Sequence, residues 1–238
     1  MFNKIIFMEI IKKEEELFNK WKEKRERFSA DGIIDFTTYK NSKNKILFLM
    51  KEVNSEVGFN LKEELNKGGR RATWGPLSAW VYGIINIQNN IHWNEIKELN
   101  NNLKRKELLK SICVVNIKKS SGGNVSNNKD LLTIAQEDVV FFNQQLNIYI
   151  TNPSTTPDLI IGCGSSVSGY FNNNFKISIK KIWKMTKRGI WYFEYLPNKF
   201  FISYSHPGAR VSPNLLYYGL IDAVREIKEQ THTNNAYK

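Results

Sequence analysis

Ile46-Leu47-Phe48-Leu49-Met50 runs straight into Lys51-Glu52-Val53-Asn54-Ser55. Five apolar residues without alternation, entered from a Lys- and Asn-rich turn, have the pattern of a strand buried on both faces. Strands of that kind belong to parallel sheets covered by helices on either side. Three more runs repeat the pattern: Ile112-Cys113-Val114-Val115, Leu159-Ile160-Ile161 behind Pro157-Asp158, and Phe200-Phe201-Ile202-Ser203-Tyr204.

Helical periodicity fills the intervals. The spacing predicts helices over 76–88, with Pro76 at the first helical position, over 93–110 and over 130–149. A further helix over 213–229 has Ser212 as its cap and Pro213 behind it. At the start, Ile10, Leu17, Trp21 and Phe28 form one stripe of an amphipathic helix over 9–28. Trp183 to Met185 and Ile190 to Tyr195, joined across Lys187-Arg188-Gly189, read as a β-hairpin. The polar tail 230–238 is expected to fray. Strands alternating with helices make the chain an α/β protein. The expected form is one domain over 1–238, an α/β/α sandwich with a short, mainly parallel four-stranded sheet.

Composition narrows the function. In 238 residues, 41% hydrophobic and 13% aromatic content exclude a disordered chain. Two cysteines exclude a disulfide framework and a Cys₄ metal site, and fit a reducing cytoplasm. No run of about 18 apolar residues is present to span a bilayer. The apolar start Ile5-Ile6-Phe7-Met8 runs into Glu9 without a small-residue cleavage site, unlike a signal peptide. Against 23 acids stand 35 Lys and Arg, a formal charge of +12. Such an excess points to a polyanionic partner, nucleic acid ahead of a membrane surface. A compositional bias toward Lys, Asn and Ile explains the charge equally well.

In sheets of this class ligands bind beyond the carboxyl ends of the strands. The four following loops begin Lys51-Glu52-Val53-Asn54-Ser55, Asn116-Ile117-Lys118-Lys119-Ser120, Gly162-Cys163-Gly164-Ser165 and Ser205-His206-Pro207-Gly208-Ala209-Arg210. Several chemistries are excluded. Gly162-x-Gly164 continues to Val167 where a dinucleotide fingerprint needs a third Gly. There is no phosphate-binding Gly-x-x-x-x-Gly-Lys loop, no zinc-deaminase signature and no Gly-x-Ser-x-Gly elbow. His92, His206 and His232 are too scattered for a metal site.

The pairs Ile46–Ser55 and Tyr204–Arg210 resemble the two active-site motifs of the uracil-DNA glycosylase superfamily. Asn116 resembles its base-reading Asn, and Pro157 to Gly164 its Pro-x-x-Ile-x-x-x-Gly strand. The likeness covers most of 44–229. The first motif lacks its usual Gly and Pro. One register sets Glu52 at the variable second position, and a shift by one residue sets it on the water-activating acid. The Cys set that holds an iron–sulfur cluster in some branches is absent. The resemblance implies a DNA glycosylase with no metal or organic cofactor, DNA as partner, and no membrane or obligatory protein partner.

Each residue then has an expected role. Glu52 would stabilise the oxocarbenium character of the sugar and orient or deprotonate the attacking water. His206 would donate a hydrogen bond to the leaving pyrimidine. Asn116 would read the base edge with its amide, and Trp74 would stack on the base. Arg70, Arg71, Lys118, Lys119 and Arg210 would contact DNA. The Ser120–Gly123 loop would offer backbone N–H groups to a phosphate. Asn54 and Ser55 are smaller than the Tyr that blocks 5-substituted bases in uracil-specific members. The expected substrate is therefore a bulky 5-substituted cytosine, as in the phage-defence branch that removes glucosylated 5-hydroxymethylcytosine. Uracil repair, a catalytically inactive DNA-binding module, and hydrolysis of free nucleosides are the alternatives.

Overall fold

Along β2 (Ile46–Met50) the side chains divide strictly by parity: Ile46, Phe48 and Met50 pack into one core layer, Leu47 and Leu49 into the other. The computed structural model describes residues 2–54, 59–99, 101–122, 127–176 and 180–236, with side chains from 7 to 230. Ser55 and Gly123 lie outside the described residues. The chain opens with α1 (Phe2–Lys22), β1 (Gly32–Ile33) and α2 (Phe36–Asn41) ahead of β2. Then follow α3 (Leu61–Asn66), α4 (Arg71–Ile85), α5 (Trp93–Glu98), α6 (Asn102–Lys110) and β3 (Ile112–Asn116). Next come α7 (Asn128–Glu137), α8 (Val139–Ile150), β4 (Leu159–Cys163) and α9 (Ser165–Asn174). The chain closes with β5 (Lys184–Met185), β6 (Trp191–Leu196), β7 (Lys199–Tyr204) and α10 (Pro213–Ala236).

The sheet has seven strands in the order β1-β3-β2-β4-β7-β6-β5. The four expected strands are its centre, β3-β2-β4-β7, and they run parallel. The expectation of a four-stranded sheet is corrected by the flanks. β1 joins antiparallel at one edge, and the β5–β6 hairpin joins antiparallel at the other. The edge strands β1 and β5 escape a search for unbroken apolar runs because each is two residues long, although the β5–β6 hairpin is the one expected from the sequence.

Helices cover both faces. α3, α4, α6 and α10 place Leu65, Trp80, Leu109 and Leu220 on the Phe48 side. α1, α7, α8 and α9 place Trp21, Leu131, Phe142 and Phe171 on the Leu47 side. Full burial of each such side chain stabilises the fold by roughly 1.5–3 kcal/mol.

Five helix boundaries differ from expectation, the first being the stretch 93–110, which divides into α5 and α6. α1 ends at Lys22, and Phe28 instead forms a bridge with Ser120. Pro76 lies inside α4, where only the bond to the exposed Ala72 carbonyl is forfeited. The stretch 130–149 breaks at Asp138, whose buried carboxylate leaves the helical path to receive Arg25 Nε at 2.9 Å. α10 runs on through the expected tail to Ala236.

β2 hands the chain to β3 on one side, and β4 then returns on the other side of β2 before β7 continues outward. The carboxyl ends of β2 and β4 therefore mark the topological switch point, where open α/β sheets leave a crevice.

Candidate functional site

The loops that follow β2 and β3 stay hydrogen-bonded beyond the strands. Ile117 and Lys118 N–H donate to the Met50 and Lys51 carbonyls, and Gly122 N–H donates to Val53 at 2.9 Å. On the outer side Ser29 N–H donates to Lys119 and Ser121 N–H to Arg27. The segment 117–122 is thus an extension of the sheet. This corrects its reading as a phosphate loop, because the N–H groups of Ser121 and Gly122 are already used.

Glu52 emerges from this extension with its side chain 6% exposed and ion-paired with Lys118. Gly122 lies close beside it, so a Cβ there would push the Glu52 carboxylate aside. Asn54 is exposed and forms a parallel bridge with Gly122.

Lys119 points the opposite way. It is fully buried, donates to both Asp31 oxygens at 2.6 Å and to the Asn116 carbonyl, and lies 5.1 Å from the Trp21 ring centroid. Burial pulls its ammonium pKa below the usual lysine value, against the pull of Asp31. A DNA contact by Lys119 is excluded because no solvent reaches it. Asn116, 3% exposed, gives both its backbone N–H and its side-chain Nδ2 to Asp31. Gln145 adds a further donor at 2.8 Å. Asn116 belongs to this buried network, and reading a base would require its amide to turn from Asp31.

Two strands from Glu52, the loop after β7 folds His206-Pro207-Gly208-Ala209 into a β-turn closed by Ala209 N–H on the His206 carbonyl. Gly208 N–H donates to His206 Nδ1 at 3.0 Å. That bond occupies the Nδ1 lone pair and leaves the ring proton on Nε2. Burial, then the Lys51 ammonium, hold the His206 pKa below its ordinary value. The imidazole is therefore a neutral Nε2–H donor at neutral pH. Lys51 is itself fixed by Asn128 Oδ1 at 2.8 Å.

Between the Glu52 and His206 loops lies the end of β4. Gly164 there has φ +111°, donates its N–H to the Tyr204 carbonyl at 2.7 Å, and has open space where a side chain would begin. Two strand spacings, roughly 10 Å, separate the flanking strands across this bare floor.

Trp74 is 8% exposed, with its indole against Gly69, so it offers little face to a base. Arg70 and Arg71 are exposed at the start of α4, beside Arg105, whose pKa falls through burial and the Arg71 charge. Arg210 is exposed on the His206 loop. Sequence reasoning missed Asp31, which precedes a two-residue strand and carries no pattern, and it missed Lys51 as the neighbour of His206.

Among the described residues no three His, Cys, Asp or Glu side chains gather as a metal site, and no helix is long and apolar enough to cross a membrane. No protein-family model and no curated protein matches the chain.

Proposed function

We propose that the chain is a DNA N-glycosylase, flipping a modified pyrimidine nucleotide into the crevice and hydrolysing its N-glycosidic bond to leave an abasic site. One observation carries the reading: an acid and a neutral imidazole flank a glycine-floored gap at the switch point of the sheet. As the bond breaks, the sugar gains positive and the base negative charge. Glu52 faces the first and orients the attacking water. His206 Nε2–H meets the second. Lys118 holds Glu52 in place by their ion pair, and burial together with Lys51 keeps the imidazole neutral.

For the base, Val53 and Asn54 are the described residues of the first loop, and neither fills the space of a Tyr. The proposed substrate is a cytosine with a large hydroxylated 5-substituent. The test is incubation with DNA carrying uracil, 5-hydroxymethylcytosine or its glucosylated form, followed by detection of alkali-labile sites and free base. Fastest release from the glucosylated DNA supports the reading. Efficient release of uracil alone replaces it with ordinary repair.

A second reading, a DNA-binding module without catalysis, draws on the capture of Glu52 by Lys118 and of Asn116 by Asp31. Salt-sensitive DNA binding with no base released from any substrate would select it.

A further inference from the structure

On the α9 side of the sheet, next to the gap, a cleft of about 470 Å³ opens between α9 and the β5–β6 hairpin. Its hairpin wall is Trp183 and Trp191, and its other walls include Ser168 and Asn172 of α9 and Ser203 of β7. Trp183 is locked edge-on against Phe193 and Phe201, with ring centroids 4.7 and 6.0 Å away. Trp191 is not locked in this way. It is 50% exposed and pairs across strands with Met185, itself 56% exposed. Two indoles, one rigid and one presented to solvent, are costly to leave on a monomer surface unless a flat apolar partner covers them.

The charge around the cleft chooses the partner. Residues 176–193 hold six Lys and Arg and no Asp or Glu. Lys181 is spent on the Phe175 and Asn172 carbonyls at the end of α9, and Arg188 on Asp222. Lys176 and Lys180 stand exposed just beyond α9, whereas Lys184, opposite Tyr192, and Lys187, whose N–H donates to Glu226 of α10, belong to the other face of the hairpin. Flat aromatic faces edged by cations suit a strand that alternates π-faces with phosphates. The cleft also adjoins the proposed catalytic gap, since Ser165 follows Gly164 and Ser203 shortly precedes His206.

We infer that this cleft is a stacking subsite for an unpaired nucleobase of a single-stranded nucleic acid, with Trp191 as the platform and Lys176 and Lys180 on the backbone. The inference shares with the proposed function only its nucleic-acid partner and needs no base excision.

The test measures binding of a fluorescent oligothymidylate of about 12 nucleotides and of an abasic strand of equal length. Trp191→Ala should weaken binding of the oligothymidylate about 5- to 100-fold, leave the abasic strand unchanged, and be largely rescued in Trp191→Phe. Trp191 is half exposed, so its removal leaves the core packed, and circular dichroism checks the fold. Equal affinity of wild type and Trp191→Ala for the oligothymidylate overturns the inference. So does a Trp191→Ala defect confined to phosphatidylserine vesicles, which would make the hairpin a membrane contact. Loss of base release with this stacking intact would break the proposed function alone.

Discussion

Lys118 and Lys119 are neighbours in sequence and opposites in the fold. Lys119 is sealed with Asp31, every oxygen of that carboxylate is occupied, and the pair joins β1, β3 and α8. Lys118 reaches forward to Glu52 at the rim, where its own side chain keeps 11% exposure. Two lysine–carboxylate pairs thus draw on one loop, one sealed in the core and one keeping slight solvent access beyond β2. The difference teaches that charge type and position in a loop do not reveal which pair is sealed into the core. What separates them is solvent access and how far the carboxylate is already satisfied.

The largest effect should come from breaking the core pair. Asp31→Ala leaves a fully buried ammonium without its partner and should destabilise the protein by about 3–5 kcal/mol in urea unfolding. Replacing both, as Asp31→Leu with Lys119→Met, should cost less than Asp31→Ala. A double variant no better than the single one would mean that Asn116 and Gln145, not Lys119, set the cost.

At the rim, Glu52→Gln keeps shape and removes charge. It should lose less stability than Asp31→Ala, bind DNA nearly normally and release base about 10²-fold more slowly, equivalent to about 2.7 kcal/mol. Wild-type turnover in this variant would reduce the rim pair to a second structural bridge.

A subtler change sharpens the chemical side. Burial and Lys51 depress the His206 pKa, so on acidification the unfolded chain binds that proton first. The stability linked to His206 is therefore complete above the ordinary histidine pKa and declines as pH falls through it toward the folded value. Lys51→Met removes one cause. The His206 titration by NMR, and the acid limb of the pH–rate profile, should both move to higher pH. An unmoved titration would leave burial as the sole cause.

The smallest effects belong to the exposed cations. Arg70, Arg71 and Arg210 replaced singly by Ala should each lower the slope of log affinity against log salt by about 0.9 if they meet phosphate on duplex DNA. The same replacement at Lys119 should alter stability and leave the slope alone. A changed slope there would overturn the contrast between the two lysines.

How much of this could be read from the chain follows from local physics. The four central strands were legible because burial on both faces writes an unbroken apolar run, and Ile46–Met50 shows it most clearly. The β5–β6 hairpin at one edge was legible too, but β1 at the other was not, because it owes its pairing to β3 rather than to its own two residues. His206 was legible as a rigid turn, while the bond from Gly208 that fixes its tautomer appears only in three dimensions. Asp31 was illegible, since it lies 85 or more residues from Asn116, Lys119 and Gln145 in sequence. The opposed directions of Lys118 and Lys119 follow from the extended backbone continuing past β3, which the Ser120–Gly123 composition concealed.

The pairing of Glu14 with the Tyr149 hydroxyl spans 135 residues. During synthesis at 5–20 residues per second, roughly 7–27 s pass between the emergence of one partner and the other. For that interval the first helix has made its apolar stripe but has no surface to lay it on. Its Leu17, Phe18 and Trp21 then form an apolar segment open to a nascent-chain chaperone.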